Sequence, residues 1–264
     1  MMLLRMEGVY TKAVNPVLEQ ILQTQQVESS SGEKQPLHSH VSGEEGEFLQ
    51  RLIRHARASV TLEIGFAFGI STLFICDALR ETGGERHIVL DPYQFTAIWG
   101  GIGVSQIRAA GFDDLVDFRE QPSHQVLPEL EAEGVTVDFA FIDGCHTFDH
   151  SVVDFFLVDR ILRVGGIVAI DDAQWPSVRK ACRFIATNRR YRVLDCLGEG
   201  EKLRFRPARR LLSQAAMRLN VVRKLLRTEL ALPDDDLDLR VNSRCVAFIK
   251  EADDDRQSFE YEPF

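Results

Sequence analysis

No stretch of this 264-residue chain stays apolar for the roughly 18–20 residues a membrane helix requires, so no span is expected. The opening MMLLRMEGVYTKAVNP lacks the sustained apolar core and small-residue cleavage site of a secretory signal, which predicts a cytoplasmic location. Cysteine is sparse. Cys76, Cys145, Cys182, Cys196 and Cys245 are odd in number, scattered and never spaced CxxC, which excludes a disulfide framework and a zinc ribbon and predicts reduced, mostly buried thiols. Positive charge is in deficit, with 31 Lys and Arg against 40 Asp and Glu. The net −9 disfavours nucleic acid as a partner over most of the surface. Disorder is excluded too, because 45% hydrophobic and 27% charged residues are proportions of a folded chain.

What is present alternates. From position 59, SVTLEIG, HIVLD, LVDFRE, VDFAFID and GGIVAID read as short apolar strands, each followed by an amphipathic helical stretch, the last from about 176 to 187. Strands of that kind, buried on both faces, describe a doubly wound α/β sheet. A helix is predicted to start at Ser42, where Ser42 and Glu45 have capping-box spacing and Phe48, Leu49, Leu52 and Ile53 share one face. Before it, residues 1–41 read as a lid or linker without a core role. Within them, 14–22 is amphipathic, and His38, Ser39 and His40 fall in a solvated loop.

Ligands of such sheets sit beyond the carboxyl ends of the strands, at the topological switch point. The first strand exits through Glu63-Ile-Gly65-Phe-Ala-Phe-Gly69-Ile-Ser71. Its glycines permit a sharp turn and close backbone approach, and the helix that follows aims free N–H groups at the same place. The spacing is GxxxG, without the GxGxxG that receives a dinucleotide pyrophosphate. Asp91, which ends the second strand, is placed to accept hydrogen bonds from ribose hydroxyls. Together these features point to a nucleoside ligand without phosphates.

LEIGFAFGIST, HIVLDPYQ and DFAFIDGCHTFDHSVVDFFLVDRILRVGGIVAIDD resemble the successive motifs of class I S-adenosylmethionine-dependent methyltransferases, in particular bacterial sugar and small-molecule O-methyltransferases. The resemblance covers about residues 40–190. It implies a mostly parallel, seven-stranded Rossmann-like sheet whose closing hairpin is YRVLDCL and CVAFIK. It also implies a cofactor site made from Glu63, Gly65, Phe66, Ala67, Gly69, Ser71, Asp91 and Pro92, with Gln121 and Ser123 near the adenine and Asp143 at the reacting end. In that reading the turn at 65–69 walls the methionine part, Ser71 lies near its carboxylate, and Asp91 holds the ribose.

A second constellation is Asp143 and His146 after the fourth strand, with Asp171 and Asp172 after the fifth. Carboxylates emerging from neighbouring strands repel unless a proton or cation separates them, and an all-oxygen set favours Mg²⁺ or Mn²⁺. The resemblance implies the same three metal positions, Asp143, Asp171 and Asp172, the third commonly Asn in relatives. His146 stands where metal-dependent relatives carry a lysine, and reads as the general base. An alcohol with a pKa of about 15.7 lies roughly 12 kcal/mol from full proton transfer to a histidine at about 6.5. Histidine therefore needs either a metal or proton removal concerted with methyl attack. Trp99 and Trp175, in loops on the ligand side, are candidate apolar walls for the acceptor.

The resulting expectation is an S-adenosylmethionine-dependent O-methyltransferase of small-molecule, sugar or natural-product hydroxyls. A nicotinamide oxidoreductase and a non-catalytic nucleoside-binding module are the alternatives. The methyltransferase domain would comprise 42–197 and 244–252, interrupted by a helical insertion at 198–243 and followed by a tail at 253–264. Within the insertion, 202–227 carries nine basic residues and no acidic one, leaving −18 on the rest of the chain (−9 − 9), and Leu212, Ala215, Leu219, Val222 and Leu226 share a stripe. That stripe suggests a homodimer contact or peripheral membrane binding.

Overall fold

A computed structural model describes residues 15–29, 32–198, 243–262 and 264. Its seven main strands form one mostly parallel sheet in the order β5-β4-β3-β6-β7-β9-β8. The described residues up to 122 and those from 123 onward form two compact units.

In the first unit, α1 (Pro16–Thr24) is opened by Asn15, whose side chain accepts from Val17 N, and by Pro16. It leads into a small hairpin, β1 (Gln26–Glu28) and β2 (Lys34–Pro36), paired antiparallel. This corrects the expectation that the segment lacks a core role: Leu18, Ile21 and Val27 are buried. α2 (Gly43–Ala56) starts where the capping box places it, with Ser42 accepting from Glu45 N. Then come β3 (Val60–Ile64), α3 (Ile70–Thr82), β4 (Arg86–Leu90), α4 (Ile102–Ala109) and β5 (Val116–Arg119). β4 pairs in parallel with both β3 and β5, which brings the exits of β3 and β4 to one end.

In the second unit, α5 (Ser123–Ala132) precedes β6 (Val137–Ile142), α6 (Phe148–Ile161), β7 (Leu162–Ile170), α7 (Pro176–Asn188), β8 (Tyr191–Leu197) and β9 (Cys245–Lys250). β6 and β7 are parallel, so Asp143 and Asp171 leave neighbouring strands together. β9 runs antiparallel between β7 and β8, the closing hairpin that the resemblance implies. A buried charge cluster ties it to α6: Asp159 accepts from Tyr191 Oη and pairs with Arg189, while Lys250 Nζ donates to the Asp159 and Leu162 carbonyls. The tail folds back on α7, where Asn188 exchanges two hydrogen bonds with the Glu262 backbone and Phe264 packs on Phe184 and Phe148. Cys76, Cys182 and Cys245 are buried and all five cysteines are free thiols. The basic stretch at 202–227 and its apolar stripe lie outside the described residues.

Candidate functional site

The β3 exit turn is built by glycine and by one carboxylate. Gly65 (φ 96°) and Gly69 (φ 78°) take left-handed conformations, and so does Ala67 (φ 47°), an arrangement that costs an L-residue about 1–2 kcal/mol. Asp91 holds it: Oδ2 accepts from Phe66 N (3.1 Å) and Ala67 N (3.2 Å), while Oδ1 accepts from Tyr93 N (2.7 Å). The residue expected to face ribose therefore also closes the turn, and three of roughly four carboxylate lone-pair sites are occupied. Glu63 is fully buried behind the turn. Ser71 and Thr72 donate to its two oxygens, and His87 Nε2 lies 2.9 Å from Oε2. Glu63 and Ser71 thus meet each other, with Ser71 itself buried at the first turn of α3.

Gln94, a residue that sequence reasoning overlooked, is the other brace. It is completely buried, donates from Nε2 to Ala67 O (2.8 Å) and accepts at Oε1 from Gly103 N (3.0 Å). A glutamine inside QFTAIWGG reads as a solvated loop residue, and no periodicity marks it. Pro92 is half-buried beside it. Tyr93, Phe95 and Ile98 on the same loop are exposed, and Trp99 meets Phe68 at 5.1 Å and His38 at 5.7 Å between ring centroids. His38 also contacts Phe68 edge-on at 4.9 Å, so the loop at 38–40, although solvated, touches the turn. Gln121 is exposed. Ser123 opens α5 and donates to the buried Asp154 of α6.

In the second unit, His146 Nε2 lies 3.1 Å from Asp172 Oδ2 and 3.4 Å from Asp143 Oδ1. These are ion-pair distances without hydrogen-bond geometry, leaving a buried nitrogen that has no hydrogen-bond partner. The Asp143 carboxylate raises the imidazole above its usual value against the opposing effect of burial, and Asp172 adds to the rise. Ser177 donates to the His146 carbonyl (2.6 Å), and the Trp175 ring lies 5.1 Å from the imidazole. Asp172 is itself left-handed (φ 52°), and Gln174 Nε2 donates to its Oδ1 at 2.7 Å. Asp171 follows β7 directly, its N–H bonded to Ile142 O. Asp143, Asp171 and Asp172 do not together form one of the described groups whose ligand atoms all lie within 4.8 Å of one another. Asp143 and Asp172 converge through His146.

Residues 62–173 match a family model described as a methyltransferase domain. Caffeoyl-CoA O-methyltransferase of Medicago sativa is 31% identical over 137 residues, which are 51% of this chain and 53% of that protein. Caffeoyl-CoA O-methyltransferase 2 of Zea mays is 31% identical over 137 residues, 51% and 49% of the two chains. The chain spans about half the length of these curated relatives. Among solved structures, an O-methyltransferase from Bacillus cereus in complex with SAH has a TM-score of 0.56 at 25% identity, covering 69% of this chain and 84% of that one. The O-methyltransferase TomG from Streptomyces achromogenes, in complex with SAM, has a TM-score of 0.54 at 22% identity, covering 69% and 82%, and speaks for the fold alone.

Proposed function

We propose, from the premise that this chain is by fold and by domain match a class I S-adenosylmethionine-dependent methyltransferase, that it methylates a hydroxyl oxygen of a small molecule. The observation that carries this reading is the β3 turn, held open by left-handed residues at 65, 67 and 69 and fastened by Asp91 within the matched domain. Gly65, Phe66, Ala67, Gly69 and Ser71 line the cofactor's methionine end in this reading, with Asp91 and Pro92 at its ribose. Glu63 acts through Ser71, which it holds. Gln121 and Ser123 stand on the adenine side, and Asp143 at the reacting end.

His146 takes the proton of the acceptor hydroxyl at Nε2 as the C–O bond forms and the sulfonium C–S bond breaks, which leaves S-adenosylhomocysteine. Asp143 and Asp172 favour the imidazolium that results. The Asp143 and Asp172 carboxylates, brought together at His146, are oxygen ligands of the kind a hard divalent cation takes. In this reading Asp143 and Asp172 would hold Mg²⁺ or Mn²⁺, with Asp171 at the end of the strand next to that of Asp143, and the ion would acidify the bound hydroxyl. Trp175, against His146, supplies an apolar wall for the acceptor. A homodimer or an anionic membrane surface is the proposed partner of 202–227, and a cytoplasmic location is part of the same reading. Among the described residues no helix is long and apolar enough to cross a membrane.

Calorimetry with S-adenosylhomocysteine and transfer of radiolabelled methyl from S-adenosylmethionine to a panel of phenols and sugars test this reading. Binding and label transfer are expected, with loss of transfer in excess chelator and recovery on adding Mn²⁺. His146→Ala is expected to lower kcat by about 10²–10⁴-fold while leaving S-adenosylhomocysteine affinity within about twofold. Failure of the wild type to bind S-adenosylhomocysteine, together with binding of NADH, would favour the oxidoreductase alternative.

A further inference from the structure

Gln94 is a completely buried polar side chain that the reaction just described does not use. Its amide faces two groups of opposite and fixed character: the Ala67 carbonyl can only accept, and the Gly103 N–H can only donate. The carboxamide orientation is therefore set by chemistry. Its own carbonyl accepts from Gly101 N (2.9 Å), so one residue stitches the loop after β4, the start of α4 and the β3 turn together. The fit at that junction is tight. A Cβ added at Gly103 would come within 2.8 Å of Ala67 O and 2.9 Å of the Phe66 ring, and one at Gly69 within 2.9 Å of the same ring. Asp91 restrains the N–H side of Ala67 and Gln94 its carbonyl side, so both peptide groups flanking this left-handed alanine are fastened.

We infer that Gln94 is a positioning residue for cofactor binding, holding Ala67 left-handed so that the 65–69 turn keeps the shape that receives the cofactor's methionine end. The inference rests on the cofactor reading above and gives the loop at 92–101 a part in it. Gln94 touches neither reactant. The bond to Ala67 O acts through the Ala67 conformation, and that part of its effect is separable from a general contribution to packing.

The test is calorimetric titration of the full chain with S-adenosylhomocysteine, with thermal melting alongside. Gln94→Met keeps the volume and removes both side-chain hydrogen bonds, and is expected to weaken binding about tenfold. Glycine occupies left-handed conformations at no steric cost, so Ala67→Gly combined with Gln94→Met should bring the affinity back to within about threefold of wild type. Rescue of binding by Ala67→Gly is what a merely structural glutamine would not give. Wild-type affinity in folded Gln94→Met overturns the inference, as does a loss that Ala67→Gly leaves unrepaired. If Gln94→Met does not fold, Gln94→Asn, one methylene too short to span both partners, carries the same comparison. A wild-type chain that binds no S-adenosylhomocysteine removes the cofactor reading and this inference with it.

Discussion

Asp91 closes the 65–69 turn and, in the proposed site, also faces the ribose. The alternation of strands marks it as the acid ending β4, and that much is legible from sequence. Its three backbone partners are not legible, because they depend on how the 65–69 turn folds back toward β4. Asp91→Ala should consequently cost stability as well as affinity. It strands the N–H groups of Phe66, Ala67 and Tyr93, at about 1–3 kcal/mol for a buried donor left without a partner. Chemical denaturation and S-adenosylhomocysteine calorimetry should both register the change, and an unaltered denaturation midpoint would assign those hydrogen bonds no net value. Asp154 presents the opposite balance. Burial raises its carboxyl above the usual value, and the hydrogen bond from Ser123 only partly offsets this. With the folded value above the unfolded one, the group favours folding fully at pH below the ordinary carboxylate range. That contribution is lost as pH rises through the folded value. Asp154→Asn keeps an acceptor for Ser123, so it should stabilise the protein at pH 7 and have less effect near pH 3.5. Melting curves at the two pH values decide it.

Helices and strands were read from the sequence where their signals are local. The Ser42 cap, the apolar face of α2 and the alternation from β3 to α7 each reside in a few neighbouring residues. The β1–β2 hairpin escaped notice because its strands are three residues long and mostly polar, and Val27 alone points inward. The grouping of Asp143, His146 and Asp172 is legible from the strand ends, but its detail is not: the left-handed backbone of Asp172 and the side-chain bond from Gln174 belong to tertiary structure. Contact between α2 and α3 is likewise a tertiary matter, and it explains a glycine that helix propensity disfavours. A Cβ at Gly46 would lie 2.2 Å from the ring of Phe74, itself 3% exposed and unable to retreat into solvent. Helix propensity alone would favour Gly46→Ala by up to about 1 kcal/mol. Overpacking costs about 1–3 kcal/mol, so the clash should prevail and the variant should unfold at lower denaturant. A midpoint shifted upward would mean that the two helices separate freely.

At the scale of the whole chain, the fold is legible in the order of its motifs, while assembly is not, because the basic stretch at 202–227 carries no motif that names a partner. The residues that flank it are held together: Leu197 and Cys245 are register partners, and Arg244 N donates to Leu197 O (2.9 Å). The excursion therefore leaves and rejoins the sheet at one point. Deleting residues 202–231 should leave β8 and β9 paired and the melting temperature nearly unchanged, while converting a dimer into a monomer by light scattering. An unchanged mass, together with unchanged binding to anionic vesicles, would remove both proposed partners. The hairpin also bears on how such a chain diversifies. Where two ends are already held side by side, each doubling of the intervening length costs only about 0.6 kcal/mol of closure entropy. Segments of very different size and charge can accumulate at that junction with little penalty to the sheet, so relatives of this protein can differ most at that junction and least within the sheet itself.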